Sequence, residues 1–236
     1  MLQKLNILCV DTSTEACSVA VLKQDDKQSA LFDTFMFAPR EHTVKILPTV
    51  ESVLAEANLS VSDIDIVAYG RGPGSFTGVR IGISIAQGLA FGIEKPMVGV
   101  STLQAMAQQA YKTEGLSSVY AAIDARMGEV YFAHYQLIGD LMTLVGEEVV
   151  IKPDALIANQ LTIVEHSGLV GSGWKAYSEL LDYFNISTLL EIEFPSSKYM
   201  LDQICSDVEK GLAVQPELAT PVYLRDKVTW KKLPGR

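Results

Sequence analysis

A chain of 236 residues that is 48% hydrophobic and 20% charged carries enough apolar mass for one large core or two small ones, which excludes a disordered polypeptide. Its 19 Lys and Arg stand against 28 Asp and Glu, a net charge of -9, so the averaged surface repels phosphate backbones and any RNA contact has to be local or made through a partner. Cys9, Cys17 and Cys205 lack C-x-x-C spacing and suit small core residues in a reducing compartment, not a disulfide framework or a zinc knuckle.

The chain opens on an apolar run, Leu5 to Val10, too brief for an export signal. It reads as the first of three successive strands, followed by Ala16 to Lys23 and Ser29 to Phe37, with turn residues between them. A helix from about Thr43 to Ala57 puts Leu47, Val50 and Leu54 on one stripe, with Pro48 kinking or beginning it. A strand over Ile64 to Gly70 leads through a Gly-rich loop into a second helix, Thr77 to Ile93. Its longest charge-free stretch, Ile81 to Ile93, falls short of the roughly 20 residues of a membrane span, so a cytoplasmic protein is expected. Strand Met97 to Val100 and a helix from Ser101 to about Tyr111 close this half.

The second half repeats the order. Strands Val119 to Asp124, Glu129 to Leu137 and Leu144 to Ile151 precede a helical stretch near Pro153 to Asn159, a strand at Leu169 to Gly171 and helices beyond Trp174. Asp11 and Asp124 each stand at the exit of the opening strand of their half. A duplicated α/β architecture with a cleft between two lobes is predicted over a single larger mixed sheet. The lobes are placed at 1–104 and 105–195, followed by a helix in 196–213 packing back towards the first lobe and a basic tail at 214–236.

Gly70, Gly72, Gly74 and Gly78 make a distinctive block, yet it fits neither a P-loop nor Gly-x-Gly-x-x-Gly. A tight structural turn is expected there in preference to an anion cradle. Gly78, Gly82, Ala86 and Ala90 recur every fourth residue, a small-residue face open to close approach by another backbone. With Ile81, Ile85 and Leu89 offering an apolar stripe to the sheet, the small face is expected to meet a partner helix, with Val44, Leu47, Val50 and Leu54 of the preceding helix beside it. Packing inside the lobe is the alternative.

Asp11 and Asp124 as a carboxylate pair would suit a phosphotransferase or ATPase, with Thr12 and Ser13 completing a vestigial nucleotide cleft; turn-forming Asp residues are the simpler reading. His42, His134 and His166 are too scattered for a metal site, and Gly171-Ser172-Gly173 lacks the spacing of a nucleophile elbow. The tail from Arg225 carries five basic residues against one acidic. Arg225, Lys227, Trp230, Lys231 and Lys232 are its candidates for RNA or partner contact, a solvated terminus being the alternative.

Five stretches together resemble the TsaB family, also called YeaZ: Val10 to Thr14 with Cys17 to Ala20, Arg40-Glu41-His42, Gly70 to Arg80, Ile123 to Tyr131, and Pro221 to Arg225. The resemblance implies an actin-like (ribonuclease H-like) fold, each lobe a mixed five-stranded sheet of βββαβα order flanked by helices. It implies a non-catalytic scaffold in threonylcarbamoyladenosine modification of ANN-decoding tRNAs beside the anticodon. The implied partners are a catalytic TsaD-type paralogue, a TsaE-type ATPase and a second copy of the chain, packed through the first two helices. The tRNA is then met through the complex, and ATP matters only at that level. The catalytic relative carries Gly-Val-Asn-His-x-x-x-His, whose histidines bind a metal. Here that run is Gly99 to Met106, and Thr102 and Met106 stand where the histidines would. Metal, carbamoyl-transfer and peptidase activity are therefore not expected of this chain.

Overall fold

The computed structural model of the protein describes residues 4–25, 28–185 and 187–225. The first lobe begins with an antiparallel meander, β1 (Leu5–Asp11), β2 (Ala16–Gln24) and β3 (Ser29–Phe37). Strands β1 and β2 are apolar on both faces because both are covered: Leu8, Val10, Val19 and Val21 point into one core, Ile7, Cys9 and Ala20 into another. After α1 (His42–Glu56), the strands β4 (Ile66–Gly72) and β5 (Met97–Ser101) add in parallel around α2 (Phe76–Ile93), giving the order β3-β2-β1-β4-β5.

The second lobe has the same topology. β6 (Ser118–Asp124), β7 (Val130–Ile138) and β8 (Leu141–Ile151) form its meander. α4 (Pro153–Ala158), β9 (Gly168–Val170), the short α5 (Gly173–Ala176) and α6 (Ser178–Tyr183), and β10 (Thr188–Leu189) complete the order β10-β9-β6-β7-β8. The architecture is therefore α/β, two mixed five-stranded sheets with flanking helices. The two-residue β10, which escaped the sequence reading, pairs in parallel with β9.

Local chemistry sets the helix ends. Ser75 accepts the Gly78 N–H at 3.3 Å to start α2, and α2 stops on Glu94 in the left-handed region. Ser101 does the same for α3 (Thr102–Glu114), accepting the Gln104 N–H at 3.3 Å, and Gly115 at φ 71° ends it. α1 runs through Pro48, which withholds one N–H, while the Thr49 hydroxyl donates to the Lys45 carbonyl at 2.8 Å.

Each sheet is finished by a helix from the other half of the chain. α3 runs continuously through positions 104 and 105; its Leu103, Met106, Ala107 and Ala110 lie in the second-lobe core with Val119 and Ala121. Conversely α7 (Leu201–Glu209) sets Leu201 and Ile204 against Ile7, Cys9 and Val98 of the first sheet. α1 and α2 cover the opposite face of that sheet, through Ile46, Val50, Val53, Ile83, Ala86 and Ala90. At 18 residues α2 is the one described helix long and apolar enough to cross a membrane, by length and composition, but a third of it is buried on this sheet. Beyond α7 the chain runs back as a strap. Val214 bridges Met97, Gln87 Nε2 donates to the carbonyls of Pro216 and Ala219 at 2.8 and 3.1 Å, and the Val222 N–H donates to the Arg71 carbonyl at 2.8 Å.

Candidate functional site

Four glycines of the Gly-rich block and its helix converge on the turn between β1 and β2. A Cβ at Gly70 would lie 1.7 Å from Asp11 Oδ2, at Gly74 2.2 Å from the Ser13 carbonyl, at Gly78 2.1 Å from the Thr12 carbonyl and at Gly82 2.8 Å from Thr12 Oγ1. The Thr12 hydroxyl donates to the Gly78 carbonyl at 2.7 Å, and the Ser75 N–H donates to the Ser13 carbonyl at 2.7 Å. Gly74 and Gly78 thus meet the turn backbone on backbone, while Gly70 and Gly82 leave room for the Asp11 and Thr12 side chains, and a residue with a side chain would collide at each.

A cavity of about 700 Å³ lies between the lobes. Its walls come from the β1–β2 turn, the start of α2, the β6–β7 turn and the strap, including Glu15, Phe76, Arg80, Asp124, Arg126 and Tyr223. The lobes are tied together in three places. At the mouth, Arg126 of the second lobe reaches Glu15 of the first at 2.9 Å. Outside the cavity lining, the carboxylate of Glu148 on β8, its side chain 6% exposed, accepts from Tyr135 at 2.7 Å, from the Ser101 hydroxyl and from Arg71 at 3.2 Å. Burial, and then the neighbouring Glu148 carboxylate, push the Tyr135 phenol well above its ordinary range, so it stays a donor. Along the strap, Arg225 pairs with Glu129 and donates to the Arg126 carbonyl at 3.3 Å.

Residues 36–225 match the family described as TsaD, tRNA N6-adenosine threonylcarbamoyltransferase. The tRNA threonylcarbamoyladenosine biosynthesis protein TsaB of Escherichia coli is 48% identical over 235 residues, covering 98% of this chain and all of the relative; the Haemophilus influenzae TsaB is 42% identical with full coverage of both. The solved structure of YeaZ from Pseudomonas aeruginosa superposes with a TM-score of 0.83 at 38% identity, covering 93% of this chain and 100% of that one. This chain belongs to the TsaB (YeaZ) family.

In this TsaB-family chain the carboxylates singled out in the sequence do not meet. Asp11 is buried and outside the cavity lining; its Oδ1 accepts from the Ser13 N–H and hydroxyl at 3.2 and 3.0 Å, while Oδ2 has no hydrogen-bond partner among the described residues. Burial raises its pKa to about 7, against the opposing pull of the Ser13 hydrogen bonds. Asp124 lines the cavity and is engaged by Arg126 at 3.0 Å and by the Tyr177 hydroxyl at 3.1 Å. Thr102 is fully buried and its hydroxyl donates to Ser13 Oγ at 3.1 Å, whereas Met106 packs in the second-lobe core. Ser172 Oγ accepts the Asp124 N–H at 3.2 Å. His42 is buried on the Ala16 carbonyl, and His134 stacks on Tyr120, where burial lowers its pKa.

One expectation is corrected. The small-residue face of Gly78, Gly82, Ala86 and Ala90 is buried in its own lobe, on the sheet and the Thr12 turn, while Ile81, Ile85 and Leu89 sit half-buried at its flank. The four-residue spacing does make a close-approach surface, but what approaches it is the chain's own Thr12 turn. Val50 and Leu54 are likewise buried, leaving Val44 and Leu47, 70% and 42% exposed, as the outward members of that set. Arg225, expected to contact RNA or a partner, is committed to Glu129; Lys227, Trp230, Lys231 and Lys232 lie outside the described residues. The ties through Glu148 and the strap went unread because their partners are separated by 77 and 96 residues, with no local pattern to mark them.

Proposed function

We propose that this chain serves threonylcarbamoyladenosine modification of ANN-decoding tRNAs beside the anticodon as a non-catalytic scaffold. A TsaD-type paralogue supplies the chemistry and a TsaE-type ATPase works alongside. The observation that carries this reading is the first turn of α3. The positions corresponding to a catalytic relative's histidines hold a hydroxyl bonded to Ser13 and a thioether packed in an apolar core, a poor donor set for a divalent ion. The nearby carboxylate of Asp11 is sealed from the cavity.

The docking surface is the outer side of α1 and α2, where Val44 and Leu47 are exposed and Gly88 has open space above its Cα. The same surface takes either the paralogue or a second copy of the chain, and the tRNA is met through the assembled complex. Leu47→Arg and Gly88→Arg place a charge on this face without entering the core, so each variant melts like the parent chain but fails to co-elute with the TsaD-type protein on size exclusion. Normal co-elution of both variants would move the interface elsewhere.

A further inference from the structure

We propose that the outer edge of the first sheet, strand β3, docks the β3 strand of a second copy of this chain, the two pairing antiparallel about a two-fold axis at Thr34. β3 ends the order β3-β2-β1-β4-β5, so one side of its backbone has no neighbouring strand among the described residues. All nine of its residues stay in register with β2 without a bulge, and none is Pro, Lys or Arg, so the usual guards against edge pairing are missing. The other sheet edges are guarded. On β5 the Met97 N–H and carbonyl bond to Val214 of the strap at 2.8 and 2.9 Å, β10 is two residues long, and β8 shifts register against β7 between Phe132 and His134.

The occupant follows from the strand's match to itself. Leu31, Asp33, Phe35 and Phe37 pair with Leu22, Ala20, Ser18 and Ala16 of β2, and Leu31, Phe35 and Phe37 are 46%, 46% and 64% exposed. Phe32 and Met36 alternate with them and pack on the core beneath α1. Pairing centred on Thr34 sets Leu31 opposite the partner's Phe37, Phe32 opposite the partner's Met36 and Thr34 opposite the partner's Thr34, combinations that stabilise antiparallel ladders. Asp33, the one charge of the strand, then faces the partner's Phe35 and keeps its own Lys198 at 3.4 Å; centring on Asp33 would instead oppose two carboxylates. Two copies that each carry a net charge of -9 repel, and this edge brings only one neutralised charge per copy to the contact. The pairing is isologous, so it closes at two copies. It uses none of the α1 and α2 residues of the docking surface above, and it stands independently of the scaffold reading.

Sedimentation velocity of the full chain carrying Leu47→Arg, which blocks the α1 face, tests it. A dimer is expected at a concentration of about 100 µM. Adding Leu31→Glu with Phe37→Glu puts like charges opposite each other across the two-fold axis and should weaken that dimer by about tenfold or more. Leu31→Glu with Phe37→Lys puts opposite charges there and should restore it. Both positions are exposed, so the variants should melt with the Leu47→Arg chain. Within one chain the two positions lie about 20 Å apart along the strand, so the difference between the double substitutions reads contact between copies. Two double substitutions that affect the dimer equally, or a Leu47→Arg chain that is monomeric at this concentration, overturn the proposal. Co-elution with the TsaD-type protein reads the other surface and should persist when both double substitutions are placed in the parent chain, so the two readings fail separately.

Discussion

One carboxylate oxygen of Asp11 is bonded to Ser13, and the other, without a hydrogen-bond partner among the described residues, is pressed into the space that Gly70 leaves by having no side chain. Burial raises the pKa of this group from 3.8 to about 7, so between those values the folded chain holds a proton that the unfolded chain has released. Stability from this residue is therefore greatest below the unfolded pKa and declines as pH rises to about 7, by an amount on the order of 4 kcal/mol. Asp11→Asn should raise the melting temperature at pH 8 and leave it nearly unchanged at pH 4; an equal shift at both pH values would contradict the assignment. At Gly78 the space is closed by the Thr12 carbonyl, so Gly78→Ala forces backbone movement and should lower stability by about 3 kcal/mol in urea unfolding. Gly88→Ala, with nothing within 4 Å, should instead be neutral or stabilising.

Among the elements, α2 shows most clearly what periodicity can and cannot reveal. Its glycine and alanine spacing is legible as a surface shaved for close approach, and its extent, Phe76–Ile93, is close to the Thr77–Ile93 expected from the sequence. Which of its faces turns inward was not legible, because that depends on the Thr12 turn, more than sixty positions earlier, donating into the first turn of the helix. The strap is the opposite case: a segment with no periodic pattern that is held by hydrogen bonds donated to it by Gln87 and Arg80 and by its own Val222 N–H donating to the Arg71 carbonyl. The meander strands and the repeated Asp at each strand exit revealed the duplication. The helix expected in 196–213 is α7, which sets Leu201 and Ile204 against the first sheet, whereas the pairing of α3 with the second sheet is a matter of long-range packing that local sequence does not encode.

For the whole molecule, the ties at Glu15–Arg126, at Glu148 and at Arg225–Glu129 join the two lobes. Glu148 is the most consequential of these, since its buried carboxylate is shared by Arg71, Ser101 and Tyr135. Glu148→Ala leaves those donors without an acceptor and should cost about 3 kcal/mol, with faster hydrogen exchange at the facing ends of β5, β7 and β8. Unchanged exchange there would show that Glu148 does not tie the lobes. The account as a whole rests on this body serving chemistry performed by another chain. The most direct measurement is threonylcarbamoyladenosine formed in tRNA by this chain alone, by its TsaD- and TsaE-type partners without it, and by all three together. Product only when this chain joins its partners is the predicted result; modification by the chain alone, or full modification without it, would contradict the account.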